Sequence, residues 1–350
     1  MIALIMAGGA GTRFWPLSRQ NNPKQFLNIL SDRSMIRMTF ERLLPVIKTD
    51  DIFVVTAGSQ RELTRKHLPE LPAENIIVEP VGRNTAPCIA LSLAYLKRKY
   101  SPDENMLVLP ADHLIRKEDS FRQSLIRAEK YANLNNLVIF GIKPDYPATG
   151  YGYIEASARM EKDTYRVASF KEKPSEETAL SFIDSGNYLW NSGMFLWKMS
   201  VVESAYRKYL PEMWTLIEQL ENKRNCSDWK ADLKLDYESL PRIPVDIGIM
   251  EKAGSRVVLA VDWGWSDVGS WKSLYDLSPK DNSGNVFAGD EVSLDSRNNY
   301  IRSNKFVSLI GVEDIIVIDT PEVLFISRKG NSEEVRKLVE IIKEKRPDLV

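Results

Sequence analysis

Apolar runs bounded by turns alternate with amphipathic stretches along the first 150 residues of the chain. The run 2–6 is apolar throughout, which is typical of a parallel strand buried on both faces. Further apolar runs occupy 52–55, 76–78, 106–109 and 137–142, and helical patterns lie between them near 34–47, 60–68, 85–99 and 119–133. This alternation predicts an open α/β sheet built from βαβ units.

The pattern changes twice beyond residue 150. Extended segments at 152–155, 166–172, 189–197 and 257–261 are mixed with helical patterns near 176–185, 201–221 and 245–252. We interpret this region as an insertion that completes a pocket over the same sheet. After a turn-rich seam at 281–285, short β-type runs at 306–310, 315–318 and 323–326 precede a helical pattern at 332–345. We therefore predict two domains, 1–278 and 279–350, the second small, β-rich and ending in a helix. Its short runs could be coils of a β-solenoid.

Composition and charge exclude several classes of protein. The 350 residues include 47 Lys and Arg against 48 Asp and Glu, so no basic excess favours nucleic acid or an anionic membrane as a partner. The two cysteines and two histidines are too few for a disulfide framework or a cysteine-based zinc site. No apolar stretch approaches the roughly 18 residues of a membrane helix, and no signal-peptide pattern opens the chain. We expect a cytoplasmic protein.

A glycine-rich segment follows the first apolar run. Gly8, Gly9 and Gly11 allow backbone N–H groups to close around an anion, and Arg13 adds a guanidinium beside them. The segment lacks the Lys-Ser/Thr of a P-loop, and no glycine stands three residues after Gly11 as the dinucleotide fingerprint requires. An ordinary tight turn and a phosphate-binding loop are both compatible with the glycines alone.

Further polar motifs come directly after strands. Residues 79–87 (Glu-Pro-Val-Gly-Arg-Asn-Thr-Ala-Pro) follow the third apolar run, and 110–113 (Pro-Ala-Asp-His) follow the fourth. Ligands of open α/β sheets bind at the carboxyl ends of the strands, so these positions indicate a binding edge. Lys24 lies in a proline-stiffened loop with aromatic residues at 14–26, a composition unlike that of a solvated linker.

Taken together, the motifs resemble a known enzyme family. The segment 8–19, Gly-Gly-x-Gly-Thr-Arg-x-Trp-Pro-Leu-Ser-Arg, and Pro-Lys-Gln-Phe at 23–26 are similar to the signature of sugar-1-phosphate nucleotidylyltransferases, in detail their mannose-1-phosphate guanylyltransferase branch. Further motifs of the branch occur in order as far as about residue 275, at 79–87, 110–113, 149–154, 170–174, 190–195 and 265–271.

The resemblance implies a fold as well as an activity. We expect a Rossmann-like mixed-sheet nucleotidyltransferase domain and a small β-rich C-terminal domain, for which a left-handed β-helix is one candidate form. A homodimer is implied in the same way. The residues after 278 are too few for the isomerase domain of larger bacterial relatives, so we expect a single activity.

The implied reaction is attack of a mannose 1-phosphate oxygen on the α-phosphorus of GTP, which forms GDP-mannose and releases pyrophosphate. Because the nucleophile is already an anion, no general base is required, and catalysis reduces to positioning and charge neutralisation. A Mg²⁺ ion held by one or two carboxylates should bridge phosphate oxygens. Asp112, after a strand, and Asp267, in a turn between two tryptophans, are the candidate ligands. A helix cap is the alternative for Asp112.

The same motifs assign the cations and the sugar contacts. Arg13 and Lys24 would neutralise the β- and γ-phosphates, and Lys173 would hold the phosphate of the sugar phosphate. Lys171 lies on the same face as Lys173 if this segment is a strand, which leaves open which ammonium acts. The candidates for binding the sugar are Gly150, Glu172 and Asn191.

Base selection requires hydrogen bonds to guanine, whose N1–H and N2–H₂ are adjacent donors. Glu79, or backbone carbonyls near Pro110, could accept from these donors, and Asn84 could bind O6 or N7. Adenine would leave such buried acceptors unpaired. The nucleotide-binding candidates are Gly8, Gly9, Gly11, Thr12, Glu79, Asn84, Ala86 and Pro110.

Other interpretations stay open from the sequence. Another hexose-1-phosphate nucleotidylyltransferase would carry the same phosphate-binding and metal-binding residues. A non-catalytic subunit that senses GDP-mannose would have no need of a metal at the α-phosphorus. A Rossmann dehydrogenase is disfavoured by the glycine spacing and by the pair Arg13 and Lys24.

Overall fold

The structure, a computed structural model, describes residues 1–9, 11–223 and 229–350, so Ala10 of the glycine-rich segment and Cys226 lie outside the described residues. The chain forms two compact units. Unit 1 comprises Met1–Gly8, Thr39–Ala111 and Ile115–Trp265, and unit 2 comprises Gly9–Met38, Asp112–Leu114 and Ser266–Val350. Unit 2 thus contains the predicted second domain together with much of the glycine-rich segment. The boundary near residue 278 stays a prediction.

A mixed β-sheet is the framework of unit 1. The strands as far as residue 266 are β1 (Ile2–Ala7), β2 (Ile52–Ala57), β3 (Ile76–Glu79), β4 (Asn105–Pro110), β5 (Leu114–Ile115), β6 (Leu137–Ile142), β7 (Gly152–Glu161), β8 (Thr164–Glu172), β9 (Tyr188–Lys198), β10 (Arg256–Val261) and β11 (Trp265–Ser266). Among the described residues, the sheet has the order β3-β2-β1-β4-β9-β6-β10-β8-β7. β1 is parallel to β2 and β4, whereas β9 is antiparallel to β4 and β6. The predicted mixed α/β sheet is therefore confirmed.

Helices connect these strands. As far as residue 239 they are α1 (Met35–Leu43), α2 (Arg61–His67), α3 (Thr85–Leu96), α4 (Glu118–Asn133), α5 (Glu176–Ser185), α6 (Met199–Tyr209), α7 (Pro211–Asn222) and α8 (Trp229–Ser239). Short 3₁₀ helices occupy Thr12–Phe14, Lys24–Phe26, Thr49–Asp51, Gly58–Gln60, Ala73–Asn75, Lys329–Glu334 and Pro347–Leu349, and a π-helical turn occupies Asp246–Met250. None of the described helices is long and apolar enough to cross a membrane.

The helical pattern at 201–221 divides into two helices in the structure. α6 ends at Tyr209 and α7 begins at Pro211. Proline has no N–H to donate to a preceding turn, but it fits the first position of a helix, where that donor would have no partner. The prediction of one continuous helix was wrong for this reason. α8 is a further helix that the sequence patterns do not predict.

Unit 2 contains a small β-solenoid. Its strands are β12 (Val286–Ala288), β13 (Glu291–Leu294), β14 (Tyr300–Arg302), β15 (Val307–Ile310), β16 (Ile315–Asp319) and β17 (Leu324–Arg328). β12, β14 and β16 pair in parallel as successive coils, β13 and β15 pair in parallel beside them, and β17 returns antiparallel to β16. The predicted β-rich C-terminal region with solenoid coils is confirmed, while its handedness stays a prediction.

Two buried asparagines connect successive coils of the solenoid. Asn299 donates from its backbone N–H and from Nδ2 to Asn285 Oδ1, each at 3.0 Å. Asn299 Nδ2 also donates to the carbonyl of Val312 at 2.9 Å, and Asn299 Oδ1 accepts from the N–H of Ile315 at 3.1 Å. Asn285 Nδ2 in turn donates to the carbonyl of Ser296 at 3.1 Å. This asparagine ladder satisfies backbone groups at the corners of the coils, where the strand pairing ends.

One apolar core joins the solenoid to the rest of unit 2. Phe14 packs edge-on against Trp271 of α9 (Trp271–Leu277), with ring centroids 4.9 Å apart, and Trp271 contacts Tyr300 of β14. Val335 and Val339 of α10 (Val335–Lys345) are buried in the same core. The segment that carries Arg13 is therefore supported by the coils of the solenoid.

Asn299→Ala should lower the free energy of unfolding by about 2–3 kcal/mol, because it leaves the N–H of Ile315 and the carbonyl of Val312 without their partner. The matched control is Asn304→Ala, which removes the same side chain from an exposed turn of the same solenoid. Urea unfolding followed by tryptophan fluorescence measures both. Equal unfolding midpoints for the two variants would show that the ladder contributes nothing.

Candidate active site

Unit 2 contains a cavity of about 410 Å³ beside the glycine-rich segment. It is lined by Gly9, Gly11, Thr12, Arg13, Phe14, Lys24, Asp112, His113, Asp267, Gly269 and Arg336. We refer to this cavity as the glycine-loop pocket. The structure thus brings together seven of the residues predicted from sequence, Gly9, Gly11, Thr12, Arg13, Lys24, Asp112 and Asp267. Arg336 was not predicted.

Lys24 is the most constrained cation of the glycine-loop pocket. Its side chain is buried, and Nζ lies 2.9 Å from Asp112 Oδ2, 3.2 Å from the carbonyl of Asp112 and 2.7 Å from the carbonyl of Asp267. An ammonium has three N–H donors, so these three oxygens match its full donor capacity. Phe14 adds a cation–π contact, with the ring centroid 5.6 Å from Nζ.

Asp112 is ionised in this setting. Burial alone would raise the pKa of its carboxyl group, but the Lys24 ammonium and the neighbouring His113 hold the pKa below its usual value. The carboxylate is bonded to Lys24, so the helix-cap alternative does not describe its role. Asp267 lines the same pocket one residue before Val268, which has a positive φ of 46°. The backbone carbonyl of Asp267 accepts a hydrogen bond from Lys24 Nζ.

Gly11 allows Lys24 to approach the glycine-rich segment. Gly11 has a left-handed backbone with φ of 63°, and a Cβ atom there would lie 2.4 Å from Lys24 Cβ and 2.7 Å from its backbone nitrogen. Ser18 Oγ donates to the carbonyl of Gly11 at 2.7 Å, and Gln25 Nε2 donates to the carbonyl of Gly9 at 3.1 Å. Residues of the following loop therefore hold the carbonyl groups of the glycine-rich segment.

Arg13 extends into the pocket from the 3₁₀ helix Thr12–Phe14. Its Nη1 donates to the carbonyl of Gly269 at 3.2 Å. Its Nε is buried without a hydrogen-bond partner among the described residues, and Glu333 Oε2 lies 3.8 Å from it. A Cβ at Gly269 would lie 2.8 Å from Asp267 Oδ2 and 3.2 Å from Arg13 Nη1, so a side chain at this position would displace the Asp267 carboxylate.

A second cluster of predicted residues lies in unit 1, at the end of β8. Glu172 is the last residue of β8, and Lys173 follows with a positive φ of 47°, which is rare for a residue with a side chain. Lys173 Nζ lies 3.2 Å from Glu172 Oε1, and 63% of its side chain is exposed. The backbone N–H of Lys173 donates to the carbonyl of Tyr151 at 3.2 Å, and this contact places Lys173 beside the loop that contains Gly150.

Lys171 and Lys173 do not share a face of a strand in the structure. Two residues share a face of a strand only while the strand continues, and β8 ends at Glu172. Lys171 belongs to the strand and pairs in register with Tyr153 of β7, whereas Lys173 has turned into the left-handed region. Of the two lysines, Lys173 is the one that the structure pairs with Glu172.

Asn191 and Asp246 complete this sugar-side cluster. Asn191 Nδ2 donates to Asp246 Oδ1 at 2.8 Å, and Asn191 Oδ1 accepts from the N–H of Gly193 at 3.0 Å. Burial raises the pKa of Asp246 to about 6, with a further contribution from the charge of Glu172. Asp246 was not predicted as a site residue. Its segment, 245–252, resembles a motif of the family, but lining the sugar pocket and capping a helix were both open as roles for Asp246.

Glu79, one of the predicted base-reading residues, belongs to a third cluster, also in unit 1. Glu79 ends β3 and is buried, and its Oε1 accepts from the hydroxyl of Tyr237 at 2.8 Å and from the N–H of Arg83 at 3.3 Å. Burial raises the pKa of Glu79, opposed by these two hydrogen bonds. A Cβ on Gly8 would lie 3.4 Å from Glu79 Oε2, so Gly8 and Glu79 are neighbours. Tyr237, from the unpredicted helix α8, was missed.

Asn84, Ala86 and Pro110 occupy different settings. Asn84 has φ of 74° and caps α3, because its Oδ1 accepts from the N–H of Thr85 at 2.8 Å. Ala86 is fully buried, and its N–H and carbonyl are bonded to Ile243 and Tyr206, so it has no surface to offer a ligand in this structure. Pro110 ends β4 and is half-buried.

Comparison with known proteins agrees with the motifs. The family model described as Nucleotidyl transferase matches residues 2–284, and the model described as MannoseP isomerase/GMP-like beta-helix domain matches residues 289–342. Mannose-1-phosphate guanylyltransferase 2 of Escherichia coli O157:H7 is 40% identical over 98% of this chain and 73% of its own length. The chain belongs to the mannose-1-phosphate guanylyltransferase family of nucleotidyl transferases.

Other members and structures are consistent with this family. The Xanthan biosynthesis protein XanB of Xanthomonas campestris pv. campestris (strain B100) is 38% identical over 98% of this chain and 73% of its own length. A crystal structure described as mannose-1-phosphate geranyltransferase from Thermus thermophilus superimposes with a TM-score of 0.88 at 32% identity, covering 98% of this chain and 99% of that one. A Helicobacter pylori mannose-6-phosphate isomerase structure shares the fold, with a TM-score of 0.62 at 24% identity over 76% of this chain and 100% of that one.

Gly11→Ala should lower the free energy of unfolding by at least about 2 kcal/mol, because it places a Cβ against Lys24 in a left-handed backbone conformation. Gly9→Ala is the control from the same segment, since a Cβ there meets no atom within 4 Å. Urea unfolding of the two variants beside the wild type measures the difference. If Gly11→Ala were as stable as Gly9→Ala, the proposed constraint on this family's loop would be wrong.

Asp246→Asn should change how stability depends on pH. With a pKa of about 6 in the folded protein and about 3.9 in the unfolded chain, the folded state binds more protons between these values. The free energy of unfolding of the wild type therefore falls as the pH rises through this window. Relative to the wild type, Asp246→Asn should gain up to about 3 kcal/mol between pH 4 and pH 7.5.

The measurement is urea unfolding of both proteins at several pH values. Asp145→Asn, which changes an exposed aspartate of unit 1, serves as the control. A constant difference between Asp246→Asn and the wild type at every pH would contradict the raised pKa.

Proposed function

We propose that this protein transfers GMP from GTP to α-D-mannose 1-phosphate, giving GDP-mannose and pyrophosphate by direct in-line attack on the α-phosphorus. The observation that carries the proposal is the glycine-loop pocket, which in a member of this family gathers Arg13, Lys24, Asp112 and Asp267 around one cavity. Relatives named mannose-1-phosphate guanylyltransferase support the choice of substrates.

The cations of the pocket would act on the departing pyrophosphate. Arg13 offers a guanidinium whose buried Nε has no hydrogen-bond partner among the described residues. Lys24 already bonds to three protein oxygens, so it would contribute mainly through its positive charge at short range. Because the attacking phosphate oxygen is an anion, neither residue needs to move a proton. The protein contributes by holding the positive charges of Arg13 and Lys24 in position before the transition state forms.

The donor set also fits a magnesium ion. Mg²⁺ is commonly held by one or two carboxylates together with substrate phosphates, and the pocket offers Asp112 and Asp267. Lys24 lies against the Asp112 carboxylate and two backbone carbonyls, which shows that this part of the pocket stabilises a cation with oxygen atoms. A bound Mg²⁺ would polarise phosphate oxygens. No group of three or more His, Cys, Asp and Glu side chains suited to a metal is found in the described part of the chain.

The sugar-side cluster would bind mannose 1-phosphate. Lys173 is exposed beyond the end of β8, and its partner Glu172 would be exchanged for a phosphate oxygen of the substrate. Glu172 and Asn191, with Gly150 nearby in the loop before β7, would then bind the sugar hydroxyls. Asp246 holds Asn191 in place through a hydrogen bond of 2.8 Å. We add Asp246 to this cluster on the basis of that contact.

The Glu79 cluster would read guanine. Oε1 of Glu79 is bonded to Tyr237 and Arg83, so Oε2, the oxygen next to Gly8, is the atom that we assign to accept from guanine. Oδ1 of Asn84 accepts the hydrogen bond that caps α3, so Nδ2 is the atom of this side chain that would donate to guanine O6 or N7. Thr12 and the glycines would contribute backbone N–H groups to the phosphates.

The near-neutral net charge of −1 supports small anionic substrates bound in local basic pockets rather than a polyanionic partner.

We further propose that the enzyme works in the cytoplasm as a homodimer. Val292, Leu294 and Ile310 of the solenoid strands β13 and β15 are exposed, and a second copy of the chain would bury them.

The test of the function is pyrophosphate release with magnesium across four nucleotides and the 1-phosphates of mannose, glucose and N-acetylglucosamine. We expect release to be confined largely to GTP with mannose 1-phosphate. Strong release with another pair would keep the mechanism but assign another hexose-1-phosphate nucleotidylyltransferase. Binding of GDP-mannose without release from any pair would assign a sensing subunit instead.

Asp112→Asn and Asp267→Asn should each lower kcat at least about a hundredfold, because each removes a carboxylate that would hold the metal against the phosphates. Asp276→Asn is the control in unit 2, since Asp276 pairs with Lys272 on the exposed surface of α9. Steady-state rates of pyrophosphate release measure all three variants. Full activity in Asp267→Asn would remove that residue from the proposed metal site.

A further inference from the structure

Arg336 is a cation of the glycine-loop pocket, and none of the residue roles in the proposed reaction involves it. It lies in the first turn of α10, between Val335 and Val339, which are buried in the core of unit 2. The buried valines fix the helix, so Arg336 is held at the pocket together with Gly11, Arg13 and Lys24. We propose that Arg336 binds the pyrophosphate part of the nucleoside triphosphate beside Arg13, an inference that rests on the proposed function.

The electrostatic setting of Arg336 is unfavourable without an anion. Burial and the charge of Arg13 both lower the pKa of Arg336, and the carboxylate of Glu333 opposes them only in part. The first turn of a helix is also the positive end of its dipole, where a cation is disfavoured. Neither the core nor the helix therefore explains why a guanidinium stands at this position. A bound polyphosphate would compensate the repulsion between the two arginines.

The hydrogen-bond inventory of the pocket leads to the same assignment. Lys24 has its three donors matched by Asp112 and Asp267, so it has little capacity left to bond to a phosphate directly. Arg13 donates from Nη1 to Gly269 and has further N–H groups on a guanidinium that cannot lose its charge. Each phosphate group of a diphosphate presents pairs of oxygens that the planar fork of a guanidinium can bind through two N–H groups. Arg13 and Arg336 together therefore supply N–H donors for the diphosphate oxygens that Arg13 and the fully bonded Lys24 would not supply without Arg336.

Glu333 is the acidic residue beside Arg13 and Arg336. Its Oε2 lies 3.8 Å from Arg13 Nε, beyond hydrogen-bond distance, and its side chain is 64% exposed. The carboxylate thus acts as a weak counter-charge to Arg13 and Arg336 at once. A phosphate group would replace it, since a charge-assisted hydrogen bond is stronger than a solvent-exposed ion pair at that distance.

The first experiment is isothermal titration calorimetry with inorganic pyrophosphate, in a buffer that contains magnesium. Arg336→Gln should weaken the binding of pyrophosphate about tenfold or more, the loss typical of a hydrogen bond to a charged group. Arg336→Lys should lie between Arg336→Gln and the wild type. Lys337→Gln is the matched control, because Lys337 is the next residue of the same helix and pairs with Glu334 on the surface.

The second experiment measures the reverse reaction, in which pyrophosphate and GDP-mannose are the substrates. Arg336→Gln should raise the KM for pyrophosphate about tenfold or more and leave the KM for GDP-mannose unchanged, because GDP-mannose does not contain the pyrophosphate that leaves. Equal increases in both KM values would indicate general damage to the pocket and would overturn the inference.

The outcomes separate this inference from the function on which it rests. Binding of pyrophosphate that is weakened in Arg336→Gln but not in Lys337→Gln supports the site, even if no pair of substrates releases pyrophosphate. Equal affinity in these two variants would overturn the inference while the transferase activity stood. A wild-type protein that does not bind pyrophosphate at all would overturn it as well.

Discussion

The buried ammonium of Lys24 is the constraint on which the glycine-loop pocket depends. A buried charge is tolerated only when its hydrogen bonds are satisfied, and here Asp112 and Asp267 supply all three acceptors. These acceptors come from segments far apart in the sequence, so Lys24 fixes Asp112 and the Asp267 turn relative to each other within unit 2. The approach requires Gly11, because any side chain there would collide with Lys24.

An apolar core supports this polar centre. Trp271 donates from its indole N–H to the carbonyl of Trp15 at 3.1 Å, and Trp15 donates in turn to the carbonyl of Leu349 at 2.8 Å. Phe14 and Trp271 pack together with Tyr300 of the solenoid. The loop that carries Arg13 and the C-terminal coils therefore share one core, and the pocket acquires Arg336 from a helix of that same core.

Sequence patterns predict the early strands and the loop motifs well, because each is encoded within a short segment. The buried runs of β1 to β4 and the residues Gly11, Lys24 and Asp112 belong to this group. Arg336 and Tyr237 were missed for a common reason: each is an ordinary polar residue of a helical segment, and tertiary packing alone brings it to its cluster. The turn at Lys173 was not predicted, because a positive φ has no signature in a residue other than glycine.

The asparagine ladder limits how the solenoid can change in length. Val286 pairs with Tyr300 and Tyr300 with Ile316, and the side chains of Asn285 and Asn299 follow the same register from coil to coil. A single residue inserted within a paired strand such as β14 would move that strand out of register with Asn285 and Asn299 and leave buried backbone groups unpaired. Insertion or duplication of a complete coil would preserve every contact of this kind. The solenoid can therefore grow or shrink during evolution, or in design, in steps of whole coils, whereas single-residue insertions and deletions are confined to its exposed turns.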